Sequence, residues 1–472
     1  MANPFHRAAG SARIARRVIG QTQVPYWPEV RTNMVRDQRL KAIVRWAAAS
    51  VPYYQRLFPE LGIDPASIHS AEDLDRLPLL DKAQVRSSPQ DFMGPAPNAD
   101  RTLALRTSGS TGVPLTVHHD LNSLLDNVAY TERERQVIRQ ALGGKTRVRT
   151  MSLGYHGSTG DEVRAYLHQH ALIPLMTIRA KSSPDEAIEQ VFEAIDRFGP
   201  DVISGNGSFL ELAFRQLKAY GLRIRLPKVL IYLGQAMTLP GRQWIEREYG
   251  IPIYSRYNAV EAFKIGYTCE ARQGFHLHAD LTHVKIVDAD GQRLSPGERG
   301  EVIITNLVNR GTVLLNYRLG DLASFSSERC RCGRNQPLLT ELEGRIEEVL
   351  RRPDGNFVFP RSVWGIFKGE PDALQYQLVQ LTADRCEIRL KTTNPSAFQA
   401  MLPRVLPKLR QLLGPEVALE ASYHESLEGL EPGKFRTIVS YLNVNESATD
   451  LDGANRPPTG SLSGQLETPL QP

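Results

Sequence analysis

The pattern of apolar and polar positions predicts helices at the start of the chain and an alternation of strands and helices after them. Residues 1–60 place apolar side chains at helical spacing, and residues 102–119 alternate like two strands around a turn rich in Gly, Ser and Thr. Residues 147–249 alternate short apolar strands with amphipathic helices, which predicts parallel strands covered by helices. The elements predicted in that stretch are strands at 147–153, 202–204 and 229–233 and helices at 161–170, 184–197, 209–220 and 240–249.

Short strands and turns replace this alternation after residue 251, and Gly344–Arg345 separates two groups of them. We therefore predict an α/β fold with a large N-terminal domain of helix-covered sheets (1–344) and a small C-terminal α+β domain (345–442). The polar, Pro-containing segment 443–472 is predicted to be disordered. The elements predicted beyond residue 251 are strands at 282–287, 301–306, 312–317, 357–359, 376–381 and 386–391 and a helix at 395–413.

The composition is that of an ordinary globular protein. Of the 472 residues, 41% are hydrophobic and 23% are charged, and the length allows about two to four domains. No apolar run approaches the ~18 residues of a membrane-spanning helix, and the basic N-terminus lacks the apolar stretch of a secretory signal. Because four cysteines in so long a chain argue against a secreted disulfide protein, we expect a cytoplasmic protein with no membrane partner.

The positive charge is concentrated in the larger part of the chain. The formal net charge is +5, yet the first 345 residues carry 44 basic and 36 acidic side chains. This modest excess suits a polyanionic small molecule such as a nucleotide. We do not expect a nucleic-acid partner, because no run of Lys and Arg with interleaved aromatic residues is present.

The strongest local signal for chemistry is the turn Arg106–Pro114. Two glycines allow backbone N–H groups to turn inward, and four hydroxyl side chains stand among them, so the turn could surround a phosphate with donors. It lacks the Gly-Lys-Ser/Thr ending of a P-loop and precedes a strand, which excludes a Walker A motif. A polar hairpin turn is the alternative interpretation.

Further motifs follow in a fixed order: Tyr257–Glu261, then Asp321, Arg345 and Lys434. Each is a weak signal alone. Together with the turn Arg106–Pro114, their order and spacing resemble the adenylate-forming acyl/aryl-CoA ligase superfamily, and within it the phenylacetate–CoA ligase and coenzyme F390 synthetase (CapK-like) branch. The resemblance covers roughly residues 30–440.

The resemblance implies a role for each motif. The hydroxyl-rich turn would grip the triphosphate of ATP, Tyr257 would stack on adenine, Glu261 would help to hold Mg²⁺, and Asp321 would bind the ribose. Arg345 matches a hinge-side arginine, and Lys434 matches the lysine of a mobile lid domain that reaches the carboxylate and the α-phosphate. The implied catalytic residues are Lys434, Glu261 and Thr111. The implied nucleotide-binding residues are Thr107, Ser108, Gly109, Ser110, Thr111, Gly112, Gly234, Gln235, Ala236, Tyr257, Asn258, Asp321 and Arg345.

Three cysteines and one histidine form a second candidate site. Cys330 and Cys332 share a tight turn and Cys269 precedes them, and with a histidine they make the closed donor set that structural Zn²⁺ prefers. His276 and His278 would share one face of a strand, so alternation cannot choose between them; the resemblance implies His276. The alternative is unrelated free thiols near a turn.

The resemblance implies ATP- and Mg²⁺-dependent conversion of an organic carboxylic acid to an acyl-adenylate, followed by transfer to CoA. Phe209 and Phe263 suggest an aromatic acid, although either could be a core residue. The expected partners are therefore the acid, ATP and CoA, and a homodimer stays open. The alternatives are transfer to an amine or carrier protein, adenylation of a non-carboxylate oxyanion, and a non-catalytic protein that binds nucleotide and zinc.

Overall fold

The computed structural model describes most of the chain in atomic detail. The residues outside this description are 1–3, 96–100, 108–114, 155–158, 173–176, 183–187, 235–236, 238, 341, 343–349, 355–356, 359–361, 364–365, 368–369, 371, 428–435 and 443–472.

Helices dominate the first part of the described chain and recur between the later strands. The α-helices are α1 (Pro4–Val18), α2 (Glu29–Ser50), α3 (Pro52–Glu60), α4 (Lys82–Ser87), α5 (Leu121–Tyr130), α6 (Glu132–Ala141), α7 (Thr159–His170), α8 (Ile188–Phe198), α9 (Gly207–Ala219), α10 (Leu239–Tyr249) and α11 (Pro395–Leu413). The helical spacing predicted for residues 1–60 is confirmed, because Leu40, Ile43 and Val44 of α2 are all buried in the main core. Among the described helices, none combines the length and apolar character needed to cross a bilayer.

The strands form several sheets of different size. In chain order they are β1 (Thr102–Arg106), β2 (Thr116–Asp120), β3 (Val148–Leu153), β4 (Thr177–Ser182), β5 (Val202–Gly205), β6 (Val229–Leu233), β7 (Ile253–Tyr257), β8 (Gly266–Thr268), β9 (Phe275–Leu277), β10 (Thr282–Val287), β11 (Gly300–Asn306), β12 (Tyr317–Ala323), β13 (Leu338–Leu339), β14 (Leu350–Arg351), β15 (Phe357–Val358), β16 (Ala373–Thr382), β17 (Arg385–Thr392), β18 (Ala418–Tyr423) and β19 (Ile438–Ser440).

An eight-stranded sheet organises the N-terminal part, in the order β13-β9-β8-β7-β6-β5-β3-β4. The five strands β4, β3, β5, β6 and β7 are parallel, as the strand–helix alternation predicted, and the remaining three are antiparallel. Helices α8, α9 and α10 cover one face, where Met151 and Ile203 are buried. Helix α6 covers the other face, where Val202 and Val229 pack against Val137. The edge strand β4 was not predicted.

A three-stranded antiparallel sheet, β10-β11-β12, packs with α2 and α3 in the largest core. The strand predicted at 312–317 is wrong, because β12 begins only at Tyr317. Asn316 adopts a left-handed conformation with φ 54°, and its side-chain amide donates to the carbonyl oxygens of Leu74 and Leu77 at 2.6 and 3.0 Å. The chain therefore turns before it enters the sheet.

The C-terminal part has its own core. Its four-stranded sheet, β18-β17-β16-β19, packs against α11, and the apolar residues between them form a cluster of their own. The helix predicted at 395–413 is confirmed: Asn394 caps its first turn by accepting from the Ala397 N–H at 2.8 Å, and Gly414 ends it with φ 120°. The predicted joint at Gly344–Arg345 and the tail 443–472 lie outside the described residues.

Candidate functional site

The carboxyl ends of four parallel strands meet at one edge of the large sheet. The register pairs Leu153 of β3 with Gly205 of β5, and the next two strands end alongside them. In open α/β sheets, ligands bind in the crevice outside these ends. The residues that follow the four strands, Gly154, Asn206, Gly234 and Asn258, therefore border the expected crevice.

The hydroxyl-rich segment of the sequence lies between β1 and β2, which pair antiparallel. Thr107 is buried and closes the turn from both sides: its N–H donates to the Leu115 carbonyl oxygen at 2.9 Å, and its Oγ1 accepts from the Leu115 N–H at 2.9 Å. Its hydroxyl hydrogen is still a donor. Ser108, Gly109, Ser110, Thr111 and Gly112 lie outside the described residues.

The residues expected to bind adenine, ribose and Mg²⁺ meet where the two N-terminal sheets face each other. Tyr257, at the end of β7, donates from Oη to Oδ2 of Asp321 on β12 at 2.7 Å. Tyr317, which also lies on β12, donates from Oη to Oε1 of Glu261 at 3.3 Å. Two hydroxyl–carboxylate contacts therefore join the Tyr257–Glu261 segment to β12.

The backbone around Glu261 is held by several further contacts. The Asn306 side-chain amide donates to the Glu261 carbonyl oxygen at 3.2 Å, and the Phe263 N–H donates to the Ala259 carbonyl oxygen at 2.7 Å. Phe263 has a left-handed φ of 60°, a conformation that surrounding contacts must maintain in a bulky residue. Asn258, which directly follows Tyr257, is not among the residues of positive φ, so the asparagine fits this backbone without strain.

His119 links the two halves of this site and was missed by the sequence analysis. It lies on β2, the strand that follows the hydroxyl-rich turn. Its Nε2 donates to the Val260 carbonyl oxygen at 2.7 Å. Its ring also packs edge-on against Phe263. Burial lowers the pKa of His119 to about 4, so the ring is neutral near pH 7 and carries its proton on Nε2. The inward position of His119 on the alternating strand was the only sequence signal for it.

A buried ionic cluster lies beneath the Glu261 segment. Glu134 of α6 pairs with Lys264 and, at 2.8 Å, with Nε of Arg256, and its carboxylate lies 3.5 Å from Nε2 of His278. Burial alone would raise the pKa of Glu134, but Lys264 and Arg256 outweigh it and keep the pKa well below the ordinary range. Arg133 reinforces the cluster through a bidentate pair with Asp280, at 2.7 and 2.9 Å.

The three cysteines and His276 come together at the opposite end of the large sheet. Their ligand atoms all lie within 4.8 Å of one another, with Sγ of Cys269 3.6 Å from Sγ of Cys330 and Sγ of Cys332 3.2 Å from Nε2 of His276. Two thiolates about 2.3 Å from a tetrahedral zinc ion would lie about 3.8 Å apart, so the spacing fits that ion. His278 instead contacts Arg133 and Glu134, which leaves His276 as the histidine of this set.

The local backbone resembles a metal-binding knuckle. Gly333 follows Cys332 with φ 78°, a conformation that favours glycine, and the Ala271 N–H donates to Sγ of Cys269 at 3.3 Å. Arg334 is almost fully buried and pairs with Glu270 at 2.8 Å. Burial alone would raise the pKa of the Cys332 thiol. Its hydrogen bonds with His276 and Arg334 have the larger effect and lower the pKa to about 6.

Besides residues 108–112 of the turn, four more expected site residues fall in parts of the chain that are not described. Gln235 and Ala236 beside the adenine, Arg345 at the joint and Lys434 of the C-terminal domain all lie outside the described residues. Gly234 is described and has φ 83°, directly after β6. The hydrogen bond from His119 to Val260 connects the hairpin that carries Thr107 with the segment Tyr257–Glu261. The structure therefore brings these groups into one region.

The chain is similar to known CoA ligases in sequence and in fold. No family model matches the chain. The phenylacetate–coenzyme A ligase of Thermus thermophilus is 26% identical over 79% of this chain and 84% of its own, and that of Escherichia coli is 27% identical over 67% and 71%. The solved structure of 2-hydroxyisobutyryl-CoA ligase in its postadenylation state superimposes with a TM-score of 0.73 at 17% identity, over 91% of this chain and 94% of that one.

The fold is therefore that of the adenylate-forming CoA ligases, with a large N-terminal and a smaller C-terminal domain. Within that class, the chain is similar to the phenylacetate–CoA ligases, which confirms the resemblance inferred from the order of the motifs. The thioesterification state of 2-hydroxyisobutyryl-CoA ligase gives a lower TM-score, 0.59 at 19% identity over 90% of this chain and 92% of that one.

Proposed function

We propose that the chain is an ATP-dependent, AMP-forming ligase that activates a carboxylic acid as an acyl-adenylate and transfers the acyl group to CoA. The observation that carries this proposal is the convergence of Tyr257, Asp321 and Glu261 beside the hairpin that bears the hydroxyl-rich turn. Relatives named as phenylacetate–CoA ligases and the fold shared with CoA ligases support it.

The chemistry demands mainly positioning and charge neutralisation. In the first step a carboxylate oxygen bonds to the α-phosphorus of ATP and pyrophosphate leaves; in the second, the CoA sulfur bonds to the acyl carbon and AMP leaves. Mg²⁺, for which the carboxylate of Glu261 is a suitable ligand, would neutralise phosphate charge. Tyr257 and Asp321 would hold adenine and ribose, and the turn 107–112 would donate hydrogen bonds to the phosphates. Lys434 would approach the reacting carboxylate from the mobile domain, 345–442.

We assign Zn²⁺ a structural role at Cys269, His276, Cys330 and Cys332. Four protein ligands leave no open position for a substrate. The cluster joins the end of β8, β9 and the turn between β12 and β13, and Asn335 extends this link by donating from its N–H to the Pro25 carbonyl oxygen at 2.8 Å. Zinc would therefore attach the segment that follows β12, the strand that carries Asp321, to the edge of the large sheet.

The proposed reaction is tested by incubating the purified protein with ATP, Mg²⁺, CoA and a panel of carboxylic acids. We expect AMP and pyrophosphate in equal amounts with at least one acid, together with its CoA thioester. Formation of ADP and phosphate would contradict the adenylation step. Sustained turnover without CoA would instead indicate an amine, a carrier protein or another acceptor.

His119 should govern the binding of MgATP through the Val260 carbonyl group. His119→Phe keeps an aromatic ring against Phe263 but removes the hydrogen bond, so we expect the KM for MgATP to rise roughly tenfold, the equivalent of one hydrogen bond of about 1.4 kcal/mol. His119→Gln can place an N–H donor near the position of Nε2 and should recover most of the affinity. The measurement is the rate of acid-dependent pyrophosphate release against MgATP concentration.

The adjacent residue provides the control for this series. His118 lies on the other face of β2, so His118→Phe should leave the KM for MgATP unchanged. Equal KM values for the wild type, His119→Phe and His119→Gln would contradict a role for the hydrogen bond.

A further inference from the structure

The Tyr257–Glu261 motif belongs to a loop whose two ends are joined by the backbone. The Ile265 N–H donates to the Tyr257 carbonyl oxygen at 3.0 Å, and this hydrogen bond closes the loop. Next to the closure, the Lys264 carbonyl oxygen accepts from the hydroxyl of Thr282, the first residue of β10, at 3.0 Å. The loop is therefore a closed unit, and its orientation depends on what holds its two ends.

One carboxylate contacts both ends of this loop. Glu134 of α6 pairs with Nε of Arg256, the residue before Tyr257, at 2.8 Å, and with Nζ of Lys264, the residue before Ile265. The two residues of the second pair are only 3% and 7% exposed. Each cation therefore directly precedes one of the two residues whose backbone hydrogen bond closes the loop.

The alternation of side chains along β7 connects this contact to Tyr257. Arg256 lies on the same face of the strand as Tyr254, which packs in the cluster under α6. Tyr257 projects from the other face into the largest core. Glu134 thus holds the end of β7 from behind, on the face opposite to the ring that is proposed to stack on adenine.

A buried network supports Glu134 on the side away from the loop. Its Oε1 lies 3.5 Å from Nε2 of His278, and Nδ1 of the same ring lies 3.3 Å from the guanidinium of Arg133. That guanidinium makes the bidentate pair with Asp280 and donates from Nε to Gln21 at 2.8 Å. The carboxylate is therefore part of a network of buried polar groups and not an isolated charge.

Stability alone does not require a buried ion pair at this place. Removing the charges of Glu134 and Lys264 from water costs free energy, and a well-packed apolar pair of similar volume is often as stable or more stable. The charges add a defined direction, because hydrogen bonds between ionised groups restrict the geometry more than apolar contacts do. A carboxylate with two oxygens also holds two cations at once, so it fixes both ends of the loop relative to α6.

We propose that Glu134 is a positioning residue for nucleotide binding, which holds the Tyr257–Glu261 segment in place through Arg256 and Lys264. The inference rests on the proposed function, because that function assigns Tyr257 to adenine and Glu261 to Mg²⁺. Glu134 acts through its two partners, and its effect is on the affinity for MgATP.

The test measures the binding of MgATP by titration calorimetry without acid and CoA, so that no step of the reaction takes place. Glu134→Leu combined with Lys264→Met replaces the ion pair by apolar side chains, so we expect a melting temperature close to that of the wild type. The loop is then held less firmly and has to be ordered when the nucleotide binds. We expect the Kd for MgATP to rise about tenfold, the equivalent of about 1.4 kcal/mol.

Arg256→Gln releases one end of the loop and leaves the buried pair intact. The Arg256 side chain is 27% exposed, so this variant should fold, and we expect its Kd for MgATP to rise about threefold, the effect of one hydrogen bond. In the background of the double variant, Arg256→Gln should have no further effect, since Arg256 acts through Glu134.

Glu132→Gln is the control, because it removes a negative charge from the same helix. The carboxylate of Glu132 pairs with Arg139 at 2.8 Å and with Arg135 at 3.5 Å, both on α6 itself. This variant should keep the Kd of the wild type.

Three results would overturn the inference. An unchanged Kd in the folded double variant, or in Arg256→Gln if the double variant does not fold, would limit the ion pair to a structural role. A further loss of affinity on adding Arg256→Gln to the double variant would place Arg256 on the nucleotide itself. Both results leave the proposed function standing, whereas a wild-type protein that does not bind MgATP would contradict the proposed function as well.

Discussion

Replacement of Lys434 by alanine should lower the rate of acyl-adenylate formation by about 10²–10³-fold, the usual effect of removing one preorganised charge from a transition state. Negative charge grows on the α-phosphate as the carboxylate attacks. Lys434 is the one lysine in the motif Glu431–Arg436. Because the lysine acts on the transition state, kcat should fall more than the affinity for ATP does. The measurement is single-turnover formation of the acyl-adenylate at saturating ATP and acid.

The control for this variant is Lys408→Ala, an exposed lysine on α11 of the same domain. It should retain the wild-type rate. Thioester formation from a pre-formed acyl-adenylate should be far less sensitive to Lys434→Ala, because a mobile domain can present other residues in the second step. Undiminished adenylation by Lys434→Ala would show that the role assigned to this residue is wrong.

If zinc occupies the proposed site, replacement of Cys269 by serine should release it and destabilise the protein by more than about 4 kcal/mol, the range associated with loss of a structural metal. The thiol is buried, and its loss would leave three ligands in a cluster that joins separate strands. We expect about one zinc ion per wild-type chain and almost none in the variant, measured by elemental analysis, with a large decrease in melting temperature.

Cys386→Ser is the matched control, because this buried cysteine lies in the separate core of the C-terminal domain. It should keep the zinc content of the wild type. A wild-type protein that is fully folded, free of metal and reactive at all four thiols would contradict the zinc assignment.

Much of the fold could be predicted because its signals are local. The helix at 395–413 has both a capping residue and a terminal glycine, and β6 (Val229–Leu233) is a continuous apolar run. Two strands were not predicted correctly. The start of β12 was misplaced because Asn316 turns the chain through contacts with residues about 240 positions earlier. The edge strand β4 was missed because its basic side chains interrupt the apolar pattern.

The candidate site also has residues that the sequence could predict and residues that it could not. Tyr257, Glu261 and Asp321 could be found from the order of the motifs, and the cysteines from their spacing. Alternation along the strand could not choose between His276 and His278, and only the resemblance favoured His276. Tertiary packing is what directs His278 towards Glu134.

The hydroxyl–carboxylate contact between Tyr257 and Asp321 has a consequence for the speed of nucleotide capture. This hydrogen bond restrains the ring and the carboxylate that are proposed to receive the nucleotide. Ordering a side chain during association costs about 0.5–1.5 kcal/mol of free energy. Because these two side chains are already ordered, association does not include that cost. Tyr257→Phe, which retains the stacking surface but loosens it, should therefore slow association more than it accelerates release.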